Sequence, residues 1–179
     1  AQQRLWFIDQ LQPHQTVYTI PAALRLQGSL QVDILQRCLN EIVMRHEILR
    51  TQFIATESEP VQSVLPPQNV ELSITDLSIT DLSITELPGS KLAAEDIVVQ
   101  LRPYLTELVA RPFNLASGPL LRAQLLQLSD NDHVLAVTVH HIIADYWSLK
   151  ILMKEIALLY QAFSNHQPSP LRSLPIQYG

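Results

Sequence analysis

Residues 139–148, VHHIIADYWS, are the one stretch of the chain where titratable groups crowd together between apolar neighbours. His140 and His141 are adjacent, Asp145 follows after three residues, and Ser148 comes three later. On an extended strand successive side chains point to opposite faces. His141 should therefore share a side with Leu135, Val137 and Val139, while His140 faces the other way, and the two imidazoles should not share a role. An imidazole held in an apolar cleft stays mostly neutral near pH 7, because desolvation disfavours its charged form, and a neutral ring is what a general base needs. Spacing alone leaves four readings: a structural histidine pair beside a helix cap, a metal site of His140, His141 and Asp145, a nucleophilic Ser148, and acid–base work by His141. Adjacent histidines on a strand diverge and no further ligand has suitable spacing, so no metal is expected. Ser148 falls in the first turn of a helix and has no nucleophile elbow around it.

The elements that must hold this cluster can be read from periodicity. Leu121 and its neighbours, from Leu120 to Leu128, pair across SDND with Val134 to His141, which predicts an antiparallel hairpin. Apolar residues on both parities of the second strand predict burial on both faces. Leu149, Leu152, Met153, Ile156, Leu159, Tyr160 and Phe163 recur at helical spacing, giving a helix over 146–163 with Asp145 at its N-cap. Leu35, Cys38, Leu39, Ile42 and Val43 give a second helix over 31–46, with Cys38 as a packing residue. A third helix spans 92–110 with Pro103 as a kink, a short one runs from Gln2 to Leu11, and Tyr18 to Leu26 reads as a strand ended by Gly28. Two more extended pieces are expected at 49–55 and 61–65. The repeat LSITD, LSITD, LSITE over 72–86 has a period of five, which fits neither strand nor helix, and reads as a duplication lengthening a surface connection.

Composition bounds the function. A chain of 179 residues, 47% hydrophobic and 16% charged, builds about one core and is not disordered. Its net charge of −5, with no basic run, argues against nucleic acid as a partner. The single cysteine, Cys38, can form no internal disulfide, and no apolar stretch approaches the ~18 residues of a membrane span. A soluble, cytoplasmic protein with no membrane partner is expected. The absence of an initial Met and the abrupt end at LPIQYG suggest a segment of something longer.

HHIIAD resembles the HHxxxD signature of the condensation domains of nonribosomal peptide synthetases, within the chloramphenicol acetyltransferase-like acyltransferases. RHEILRTQF at 45–53 is similar to that family's second motif and AQQRLWFIDQL to its first. RPFNLASGPLLRAQLLQL resembles the stretch before the histidines, and LPIQYG the approach to the fourth motif. The resemblance implies a chloramphenicol acetyltransferase-like α+β sandwich, a mostly antiparallel sheet covered by helices, with residues 1–179 as the N-terminal lobe of a two-lobed domain. It implies amide-bond formation between an acyl or peptidyl thioester on one carrier protein and an aminoacyl amine on another. No cofactor is bound directly; the phosphopantetheine arms of the carriers tether the substrates. The partners are the C-terminal lobe and the donor and acceptor carrier domains.

By position in that motif, His141 would be catalytic and His140 would pack. Asp145 would be a partly buried structural acid paired with Arg45 or Arg50, Arg45 preferred. Tyr146, Trp147 and Ser148 would line the substrate channel, Tyr146 standing where the family has Gly and so narrowing the acceptor side. The lobe alone should fold and be inactive. A stand-alone coenzyme A-dependent acyltransferase and a non-catalytic docking lobe are the alternatives.

Overall fold

The computed structural model describes residues 2–56, 59–78 and 94–178, with the backbone only over 94–100. The order is α1 (Gln2–Leu11), β1 (Thr19–Gln27), α2 (Val32–Arg45), a 3-10 turn (Glu47–Arg50), β2 (Thr51–Ile54), β3 (Val61–Val64), β4 (Leu72–Asp76), α3 (Ala94–Ala110), β5 (Leu121–Ser129), β6 (Asp132–His140) and α4 (Tyr146–Ser164).

The main sheet runs β1-β6-β5-β4. β6 is antiparallel to both neighbours, with Leu135 opposite Leu24 on one side and Leu125 on the other. Eight of its nine residues are buried, as the apolar pattern on both parities requires. Alternation then sorts the two faces. Leu135, Val137 and Val139 join the stripes of α2 and α4 in the main core, whereas Val134 packs with Leu126 of β5, Leu77 and Leu101 of α3 in a smaller cluster. α2 carries its expected stripe, and at its centre Cys38 is completely buried, with desolvation pushing its thiol up to about 12. It packs and does not react.

Two local expectations are corrected. The extended piece expected from residue 49 starts at Thr51, because Leu49 and Arg50 are wound into the 3-10 turn, where Leu49 N donates to His46 O at 3.0 Å and Thr51 Oγ1 to Glu47 O at 2.8 Å. The first LSITD copy is not loop but β4, paired in parallel with β5 from Leu72↔Ala123 to Asp76↔Gln127. Its five residues, with β-branched Ile74 and Thr75, are long enough for a strand whatever the period of the repeat around them. The second copy is described as far as Ser78, and the third lies outside the described residues. Among the described residues no helix is long and apolar enough to cross a membrane.

The cross-strand pair Leu125 and Leu135, both fully buried, gives the first prediction. Leu135→Ala should lower unfolding free energy by about 2–5 kcal/mol in urea titrations, against about 0.5 or less for Ile74→Ala on the exposed side of β4. Equal costs for the two would refute the register.

Candidate active site

The end of β6 divides the two histidines. His140 N donates to Leu120 O on the β5 side at 3.0 Å, and His141 N to Tyr18 O on the β1 side at 2.8 Å. Ile143 N then donates to His140 O at 3.0 Å and closes a turn, so His141 opens this turn rather than extending the strand. The expected split survives. His140 is 1% exposed, edge-on to Phe113 with ring centroids 6.1 Å apart, and His141 is exposed at the border of a cavity.

Hydrogen bonds assign a tautomer to each ring. His140 Nδ1 accepts from Ile142 N at 3.1 Å, and burial, helped by the neighbouring His141, pushes its pKa down to about 4. His140 is thus neutral at pH 7, with its proton on Nε2. His141 Nδ1 lies 2.9 Å from Ala144 O. A carbonyl can only accept, so Nδ1 carries the proton and the neutral ring's lone pair sits on Nε2, which makes no hydrogen bond among the described residues.

The cavity is about 720 Å³ and its wall is mainly apolar, with Leu5 and Ile8 of α1, Ile143, Leu149 and Leu152, while His141, His46, Tyr18, Ser148, Arg4 and Asp145 are among its polar lining. α1 is tied to the histidine turn by Gln2 Nε2, which donates to Ile142 O at 2.9 Å.

The acid of the signature does something other than expected. Asp145 is exposed and caps α4: its Oδ1 accepts from Ser148 N at 2.7 Å and from Ser148 Oγ at 2.6 Å, and those bonds hold its carboxyl below the usual range. It pairs with neither Arg45 nor Arg50. Arg50 bonds Leu65 O and Glu47 instead, at 3.3 Å to the carboxylate. The buried carboxylate is Glu155 of α4, which accepts from Arg45 Nε at 3.2 Å and from His46 Nε2 at 2.7 Å. Arg45 also donates to Arg172 O at 2.5 Å, and Gln177 Nε2 donates to Arg45 O at 3.0 Å, which lays the segment carrying Tyr178 along the cavity.

Neither Glu155 nor His46 was singled out from the sequence. The available signal was a lone acid inside the stripe of Leu152, Ile156 and Leu159, since an acid at a buried position needs a cation. Of the three expected channel residues only Ser148 borders the cavity. Tyr146 and Trp147, each 72% exposed, lie outside its wall. The reason is helical phase: the cap starts α4 at Tyr146, so Asp145, Ser148, Leu149 and Leu152 fall on the cavity side and residues 146 and 147 do not. Among the described residues, no three His, Cys, Asp or Glu side chains converge to hold a metal.

The family described as the condensation domain matches residues 1–179. The chain is 41% identical over 179 residues to a linear gramicidin synthase of Brevibacillus parabrevis, covering all of this chain and 3% of the synthase. It is 42% identical over its full length to chondramide synthase of Chondromyces crocatus, of which it spans 4%. Its fold matches the crystal structure of the starter condensation domain of rhizomide synthetase RzmA with a TM-score of 0.81 at 20% identity, covering 96% of this chain and 38% of the other. The α+β sandwich of the chloramphenicol acetyltransferase-like type is therefore the fold found.

Two tests of stability follow from the site. His140 binds protons more weakly folded, at about 4, than unfolded, at about 6.5. Its contribution is therefore complete above pH 6.5 and falls away towards pH 4, by at most about 1.4 kcal/mol per pH unit, and His140→Asn should remove that slope in denaturant titrations run across the range. Glu155→Gln leaves the partly buried Arg45 charge without its partner and should cost about 3 kcal/mol at neutral pH. A melting temperature unchanged from wild type would show that the ion pair is unimportant.

Proposed function

The chain belongs to the condensation-domain family, and from that premise we propose that residues 1–179 are the N-terminal lobe of a two-lobed domain that forms amide bonds in nonribosomal peptide synthesis. The chain spans only 38% of the RzmA condensation-domain chain it superposes on, which leaves room for a second lobe facing His141. The substrates are a donor acyl or peptidyl thioester and an acceptor aminoacyl thioester, each tethered by the phosphopantetheine arm of a carrier domain, and the setting is the cytoplasm. The arms are substrates, and no resident cofactor takes part.

The observation that carries this reading is the tautomer of His141. With Nδ1–H bound to Ala144 O, the ring cannot turn its other nitrogen away, and Nε2 is the basic atom at an apolar cavity. As the acceptor amine attacks the donor thioester carbonyl, the C–N bond forms and nitrogen becomes acidic. Nε2 takes the proton, the tetrahedral intermediate collapses with cleavage of C–S, and the thiolate leaves on the donor arm and recovers a proton from the imidazolium. No covalent enzyme intermediate is needed, because holding two tethered reactants together supplies much of the rate. Asp145 acts by capping α4, which sets Ser148 and Leu149 at the cavity, and His140 acts by packing.

His141→Ala in the parent synthetase should reduce single-turnover condensation by about 10²–10⁴-fold with no loss of melting temperature. Asp145→Ala should lower the melting temperature through loss of the cap and reduce the rate less. Equal losses of melting temperature in the two variants would make His141 structural. The 179-residue chain alone should fold yet join no carrier-bound substrates, because one lobe cannot hold both arms.

A further inference from the structure

A second cavity, of about 480 Å³, lies beside the first, and the two share one lining residue, Leu49. The chain around Leu49 divides between them: His46 and Ile48 line the first, Arg50 and Thr51 the second. The sheet continues the division, since Val139 lines the first cavity and its cross-strand partner Leu121 the second. Leu49, 7% exposed, is thus the residue at which the linings of the two cavities meet.

The two compartments differ in chemistry. In the second cavity the lining holds Glu71 and three arginines, of which Arg50 is paired with Glu47 at 3.3 Å and Arg111 with Glu107 at 2.5 Å, while Arg122 has no carboxylate partner among the described residues. Arg122 is clamped over the Phe113 ring, 4.1 Å from its centroid, and donates to Arg111 O and Pro112 O at 2.7 Å each. Burial, and then the neighbouring Arg111, lower its pKa. Arg50 Nε is buried with no hydrogen-bond partner among the described residues. The first cavity is mainly apolar, with Arg4 and Asp145 as its charged lining residues besides the histidines, and contains the His141 site.

We propose that the cavity beside His141 takes the donor acyl group and that Leu49 is a specificity-determining residue: its side chain separates this cavity from the second one, where Arg122 fits the anionic far end of a longer donor. This rests on the condensation reading of the first cavity. Truncating Leu49 would join the compartments, so the gain should depend on the charge of the donor tip as well as on length.

The test compares hexanoyl, decanoyl and ω-carboxydecanoyl groups loaded on the donor carrier of the parent synthetase. In Leu49→Ala, kcat/KM for ω-carboxydecanoyl relative to hexanoyl should rise at least about tenfold over wild type, with a smaller rise for decanoyl, and Leu49→Met should restore the wild-type ratio. Leu49→Val, a smaller truncation, should give an intermediate shift and serves if the alanine variant melts at the assay temperature. Calorimetry with the matching pantetheine amides reads the same ordering without turnover. A wild-type parent that transfers no acyl group would sink the peptide-bond reading, and the amide affinities would still decide Leu49. Unchanged ratios in a folded variant, or equal gains for charged and uncharged tips, would overturn the proposal.

Discussion

Strand β6 is hydrogen-bonded along both edges and covered on both faces, and the placement of His140, His141 and the Asp145 cap depends on that confinement. A strand so held cannot slip by one residue without exchanging its two apolar faces. Its last residues therefore arrive with a fixed phase. The final ladder bonds, from His140 to Leu120 and from His141 to Tyr18, pass that phase to the turn, and the turn passes it to the cap of α4. The orientation of one imidazole is in this way set by a run of backbone groups that hold the strand rather than the substrate.

The same confinement explains why neighbouring residues of one type have opposite chemistry. His140 faces Phe113 and Tyr18, has its Nδ1 occupied by a backbone N–H, and is kept neutral by burial. His141 has Nδ1 occupied by a backbone carbonyl, which reverses the tautomer and leaves Nε2 as the basic atom. Two backbone contacts of opposite polarity thus set opposite tautomers in adjacent rings, one buried and one exposed.

The parts of this arrangement readable in the sequence are those governed by local periodicity. The stripes of α2 and α4, the hairpin of β5 and β6, and the Asp145 cap all follow from spacings of two, three or four residues. What could not be read is which cation meets which acid. Arg45 and Glu155 are 110 positions apart, and no short-range rule distinguishes Glu155 from Asp145 as the partner. The resemblance pointed to Asp145, but Asp145 already had Ser148 three residues away, whereas Glu155 had only apolar neighbours on its own helix face and needed a distant charge. Tyr146 and Trp147 lie off the cavity wall for a related reason: a motif fixes order along the chain, and the phase of a helix fixes direction.

The edge position of β1 has a consequence for biosynthesis. Arg25 of β1 bonds Asp132 of β6 across 107 residues, so at about 5–20 residues per second the strand waits roughly 5–20 s for its partner to be made. Through that interval Ile20, Leu24 and Leu26 present an apolar strand with nothing to pair with, in a crowded polysome where sister chains carry the same strand. Pro21 lies within it and lacks a backbone donor, which breaks one link in any ladder an intruding strand could build. The native sheet tolerates this residue because, among the described residues, β1 pairs with β6 alone, so the same proline that disfavours a second ladder also guards the nascent chain until β6 arrives.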